Sequence, residues 1–118
     1  MFVPITPTPK PRTTQRDRWA KRPIVVRYYV FCDELRLKHP KPLPERLGLI
    51  FYIKTPKSWS KKKTEAMLYK PHQQRPDIDN MCKAVMDALC EDDSHIWQLE
   101  AKKVWNDVEG IEIYEIGS

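Results

Sequence analysis

Arg75 to Asp93 read RPDIDNMCKAVMDALCEDD. Ile78, Met81, Cys82, Val85 and Leu89 recur at helical spacing, so one apolar face is expected on a helix over residues 78–90. Asp77 or Asp79 can cap its start, where a carboxylate also meets the positive end of the helix dipole. Asp79, Lys83 and Asp87 follow one another at i, i+4 on a second face and can form ion pairs there. A helix with a single apolar face buries it against other elements, and the flanking chain carries strand patterns.

Downstream, residues 95–105 (HIWQLEAKKVW) alternate imperfectly, and residues 109–116 (EGIEIYEI) alternate well. Asn106 and Asp107 supply turn chemistry between them, which predicts a hairpin. Upstream, a short helix is expected over residues 60–69, with Ser58 or Ser60 as its cap and Pro71 beyond its end. Residues 47–54 (LGLIFYIK) read as a buried strand that Pro56 ends. Residues 23–38 pose a conflict. Their β-branched and aromatic residues favour strand, but Ile24, Tyr28, Phe31 and Leu35 repeat at helical spacing and Pro23 suits a first turn. The period decides for helix, with Asp33, Glu34, Arg36 and Lys38 on the other face. The expected fold is therefore α/β or α+β: a small mixed sheet carrying two or three helices. At 118 residues one domain spans 1–118, and residues 1–22, rich in proline and basic residues, form an extended lead-in.

Hydrophobic content of 41% and charged content of 31% fit a globular protein rather than a disordered chain. The longest apolar runs are far too short to cross a membrane, no signal peptide is recognisable, and Cys32, Cys82 and Cys90 fall in apolar segments as unpaired core thiols. A reducing cytoplasm is the expected setting. No histidine or cysteine spacing suggests a zinc site, and no Gly-rich phosphate loop is present. Net charge is +5, with cations crowded at Lys10, Arg12, Arg16, Arg18, Lys21, Arg22 and Arg27, and again from Lys54 through Lys61, Lys62, Lys63 and Lys70 to Arg75. Such clusters attract phosphate backbones; an ordinary solvated surface is the plain alternative. Trp59, beside the lysine run, is a candidate base-stacking ring, whereas Trp97 and Trp105 suit packing on strands.

Against that basic background the acids of residues 77–93 need a reason. Asp77 and Asp79 stand two positions apart and can face one way, as two hard oxygen ligands for a divalent cation such as magnesium. Such an ion activates water for attack on a phosphodiester. Asp92 and Asp93 follow after about three helical turns, roughly 15–20 Å on, and meet the first pair only if the chain doubles back. The alternative is that Asp-x-Asp only caps and Asp-Asp only turns. Lys83 is either one member of an ion-paired face or a group that binds the scissile phosphate.

The stretch from Arg75 through Asp77, Asp79, Asn80, Lys83 and Asp87-Ala88-Leu89 to Asp92-Asp93 resembles the RusA family of Holliday junction resolvases. Ser58-Trp59-Ser60-Lys61-Lys62-Lys63 is similar to a segment of many phage and prophage members; Pro9-Lys10-Pro11-Arg12 resembles their basic lead-in, and Lys103 matches a basic position. The resemblance implies a magnesium-dependent endodeoxyribonuclease acting as a homodimer that places paired nicks in four-way DNA junctions during recombination and repair; manganese is a chemically possible substitute ion. It implies Asp77, Asp79 and Asp93 as metal-binding catalytic residues, Asp92 as a residue able to share the role of Asp93, and Lys83 as a catalytic lysine. The DNA arms would be held by Lys10, Arg12, Arg16, Lys61, Lys62, Lys63 and Arg75. The protein would be cytoplasmic, bacterial or phage-encoded. Members often carry a glycine and a longer loop before the acidic pair; here only Cys90 and Glu91 intervene, so Glu91, Asp92 and Asp93 all stay candidates to face the metal. Two further readings stay open: a related nuclease for flaps, forks or other branched DNA, and a DNA-binding module without catalysis.

Overall fold

The computed structural model describes residues 1–11 and 23–117. Arg12 and Arg16, two of the expected DNA contacts, lie outside the described residues. Strand β1 is Phe2–Val3, helix α1 Pro23–Lys38, strand β2 Arg46–Lys54, helix α2 Lys61–Met67, helix α3 Ile78–Leu89, strand β3 Gln98–Asn106 and strand β4 Gly110–Glu115. Three helices and a four-stranded mixed sheet make an α+β fold, as the residue patterns lead one to expect.

The sheet runs β1-β4-β2-β3. β2 pairs in parallel with β3 from Arg46↔Gln98 to Lys54↔Asn106, and antiparallel with β4 from Leu47↔Glu115 to Tyr52↔Gly110. The expected hairpin between the last two strands is therefore incorrect: β2 lies between them. The most apolar strand takes the centre, where both of its edges are paired. The three residues 107–109 cross its end, because three extended residues reach about 10 Å and two strand spacings are about 9.6 Å. Phe2–Val3, not anticipated as a strand, pairs with β4 at Phe2↔Glu112 and Val3↔Ile111.

Leu47, Leu49 and Phe51 of β2, Ile111 and Ile113 of β4, and Val3 form one core with Tyr28, Phe31, Cys32 and Leu35 of α1 and Met81, Cys82, Ala84, Val85 and Ala88 of α3. Each large apolar side chain fully buried there contributes roughly 1.5–3 kcal/mol. On α1 the buried face is Val25, Tyr28, Phe31, Cys32 and Leu35, while Ile24, expected inside, is 40% exposed. The outer face carries Val26, Tyr29, Val30 and Leu37 among its charges, which is why strand propensity and helical period compete in this stretch. Ser60 caps α2, accepting a hydrogen bond from the Lys63 N–H at 3.1 Å. Cys32, Cys82 and Cys90 are free thiols; burial pushes Cys82 up to about 11, so it stays protonated.

Candidate active site

β3 is an edge strand, and its unpaired backbone groups are taken up by the chain that leads into α3. Tyr69 N–H donates to Trp105 O at 2.8 Å, Trp105 N–H to Lys70 O at 3.0 Å, and His72 N–H to Lys103 O at 3.0 Å. Rings back this seam. Trp59 packs on Trp105 with centroids 4.7 Å apart, His72 packs on Trp105 at 4.4 Å, and the Lys63 ammonium sits 4.5 Å above Trp59. Trp59 thus anchors the α2 region to the sheet between Lys63 and Trp105. Trp105 is buried as expected; Trp97 is not, being 66% exposed with the Arg46 guanidinium 5.9 Å from its ring.

Where backbone pairing stops, a side chain takes over. The Lys103 ammonium donates to Gln74 O at 2.7 Å and to Pro76 O at 2.6 Å. Burial pulls Lys103 below the ordinary lysine value, against the opposing pull of the Asp77 charge. The next residue, Asp77, is the N-cap of α3, with φ −71° and ψ 140°. Its side chain makes no capping hydrogen bond. Asp79 lies in the first turn. Both are exposed, and neither carboxylate has a hydrogen-bond or ion-pair partner among the described residues. Among the described residues the pair therefore keeps its oxygen lone pairs unengaged, the hard-ligand chemistry that suits a divalent cation or the water around one.

A groove of about 700 Å³ opens beside this turn, lined by residues 6–11, Ile24 and Arg27 of α1, and Arg75, Pro76, Asp77 and Asn80. The lead-in is fastened to α3 twice: Lys10 N–H donates to Asn80 O at 3.0 Å, and the Lys10 ammonium pairs with Asp87. This corrects the expected ion-paired face. Asp87 is taken by Lys10, and Lys83, exposed, has no ion pair among the described residues. Of the expected DNA contacts, Lys10 and Arg75 line this groove, and Lys61, Lys62 and Lys63 are exposed on α2.

Asp92 and Asp93 lie past the other end of α3, whose twelve residues span about 18 Å. Asp92 accepts from Ser94 N–H at 2.9 Å, which holds its carboxyl below the usual range, and Asp93 O accepts from Ile96 N–H at 3.0 Å. The expected meeting of Asp77, Asp79 and Asp93 does not occur within one chain. Among the described residues no three acidic, histidine or cysteine side chains gather to hold a metal ion. The strand does return along the helix, since Gln98 to Lys103 rises about 17 Å. The residue it delivers to the helix start is Lys103. Its spacing with Leu99, Ala101 and Trp105 puts a lysine on the side of the strand that also carries buried Trp105, a signal present in the sequence but readable only once the strand is placed.

An exposed carboxylate pair at the start of a helix, beside a groove lined by arginine and lysine, offers oxygen ligands for a divalent cation next to cations that attract phosphate. The chain matches the family model described as endodeoxyribonuclease RusA over residues 4–114, nearly its whole length, and it belongs to that family. RusA proteins are endodeoxyribonucleases that resolve Holliday junctions, act on branched DNA and generally depend on a divalent metal. No curated protein and no solved structure matches the chain. No helix among the described residues is long and apolar enough to cross a membrane.

Proposed function

We propose that this chain, bacterial or phage-encoded and cytoplasmic, resolves four-way DNA junctions by paired, magnesium-dependent nicks, acting as a homodimer in recombination and repair. The observation that carries the reading is the Asp77–Asp79 pair, exposed and without a partner among the described residues, at the start of α3 in a chain of this family. Bound there, magnesium, or manganese in its place, supplies an activated water and charge neutralisation at the phosphodiester. Asp77 and Asp79 hold the ion, and Lys83, free of Asp87, meets the phosphate. Arg75 and Lys10 beside the groove, Lys61, Lys62 and Lys63 on α2, and Arg12 and Arg16 hold the DNA arms.

Asp93 enters the same reading through the dimer. Because α3, about 18 Å long, lies between it and the acid pair, and the described residues bring no three acids together, a site that uses all three aspartates takes its third carboxylate from Asp93 of the partner subunit. Asp92, engaged in its own turn, supports that loop. A two-fold dimer then carries two equivalent sites, which suits a junction with two equivalent strands to cut.

The test is a panel of end-labelled four-way junctions, flaps, forks and linear duplexes, each with and without magnesium. Preferential, symmetric cutting of the four-way junction supports the proposal. Preference for flaps or forks would replace the junction by another branched substrate, and junction binding without cleavage would reduce the protein to a DNA-binding module.

A further inference from the structure

Lys103 sits in the middle of an otherwise regular strand, yet its side chain satisfies two backbone carbonyls of another segment, Gln74 O at 2.7 Å and Pro76 O at 2.6 Å. Those carbonyls flank the last residues before Asp77. The residues upstream of this turn that pair with β3 through their backbones, Tyr69, Lys70 and His72, end that pairing at Lys103 O. From there to the helix cap, the hydrogen bonds that join the described chain to the sheet come from this ammonium. Asp77 is the N-cap residue but its side chain makes no capping hydrogen bond, so its carboxylate is placed by the path of residues 74–76. A charge-assisted bond is about twice as strong as a neutral one, and two of them on alternate carbonyls fix both the position and the twist of the turn.

We propose that Lys103 is the positioning residue of the acid pair: by holding the 74–76 turn against β3, it sets the direction in which Asp77 presents its carboxylate beside Asp79 for a divalent cation. This rests on the metal-binding reading above. Groups that orient metal ligands from behind typically change metal affinity by about 10–100-fold when removed.

The experiment compares Mn²⁺ binding by the full-length chain, read from the electron paramagnetic resonance signal of the free ion, in wild type, Lys103→Met and Lys103→Arg, with circular dichroism on each. The expected result is a half-saturating Mn²⁺ concentration raised about tenfold or more in Lys103→Met and largely restored in Lys103→Arg, with unchanged helix content. If Lys103→Met does not fold, Lys103→Gln, which keeps a donor but loses the charge, carries the same comparison. An unshifted midpoint in the Met or Gln variant overturns the assignment of Lys103 while leaving the metal site intact. A wild-type chain that binds no Mn²⁺ overturns the metal reading itself, and the role of Lys103 with it.

Discussion

The ammonium of Lys10 and the carboxylate of Asp87, 77 positions apart in the chain, form an ion pair that straps the lead-in across α3. The pairing leaves Lys83 without a partner among the described residues. Lys10→Met should therefore loosen the strap and cost about 0.5–1 kcal/mol, since both side chains are about one-third exposed (35% and 29%) and salt screens them. Lys83→Ala should leave the melting temperature unchanged and lower DNA cleavage by tenfold or more. Thermal denaturation paired with a cleavage assay separates the two; a large loss of stability in Lys83→Ala would show that it belongs to a structural ion pair.

The separation of Asp93 from Asp77 and Asp79 predicts complementation between dead variants. In a mixed dimer of Asp79→Asn with Asp93→Asn, one composite site receives both changes and the other receives none. Mixing and re-equilibrating the two inactive proteins should restore single-strand nicking of a junction to roughly a quarter of the wild-type number of sites, taking random exchange of subunits in a two-fold dimer. Sites contained within one chain would give no recovery.

His72 is 5% exposed, its Nδ1 has no hydrogen-bond partner among the described residues, and burial followed by the nearby Lys103 charge pulls its ionisation below the usual histidine value. The folded state therefore binds this proton less readily than the unfolded chain. Its contribution to stability is complete above the unfolded value, about 6.5, and is lost as pH falls toward the lowered folded value. Denaturation midpoints should decline between pH 7 and pH 5.5, and His72→Phe, which keeps a ring against Trp105, should flatten that decline. An equal slope in both proteins would assign the decline to other groups.

Tyr114 lies across Gly48 so closely that a Cβ built on the glycine would be 2.2 Å from the ring. Gly48→Ala must push the ring off the sheet and should destabilise the protein by about 1–3 kcal/mol. In a Tyr114→Ala background the same change should cost almost nothing, and urea denaturation of the four proteins measures that coupling. Additive effects would mean that the glycine is needed for some other reason.

Much of this architecture is legible in the residues. The 3.6-residue period outweighs β-propensity over residues 23–38, where the helix runs over the expected span, and α3 shows its single apolar face plainly. Strand order is not legible, because β3 and β4 are neighbours in sequence and pair with the same distant strand; which strand becomes central depends on how well it buries both edges. For the same reason the acids could be found but not placed. Asp77 and Asp79 lie two positions apart at the start of α3, so local sequence places both, whereas the place of Asp93 depends on a helix about 18 Å long, at roughly 1.5 Å per residue. Lys103 and the Lys10–Asp87 strap are invisible without the fold, since each joins residues far apart in the chain.

The central claim is that the Asp77–Asp79 pair performs metal-dependent cutting and is not a helix cap. Asp77 makes no capping hydrogen bond, so Asp77→Asn and Asp79→Asn should fold with nearly wild-type stability and still bind a four-way junction. The decisive measurement is cleavage of a labelled four-way junction by wild type and these two variants at saturating magnesium. The account predicts that wild type cuts only when magnesium is present and that both variants lose cutting by at least about a thousandfold while retaining junction affinity. Undiminished cutting by either variant, or cutting by wild type without a divalent metal, would contradict it.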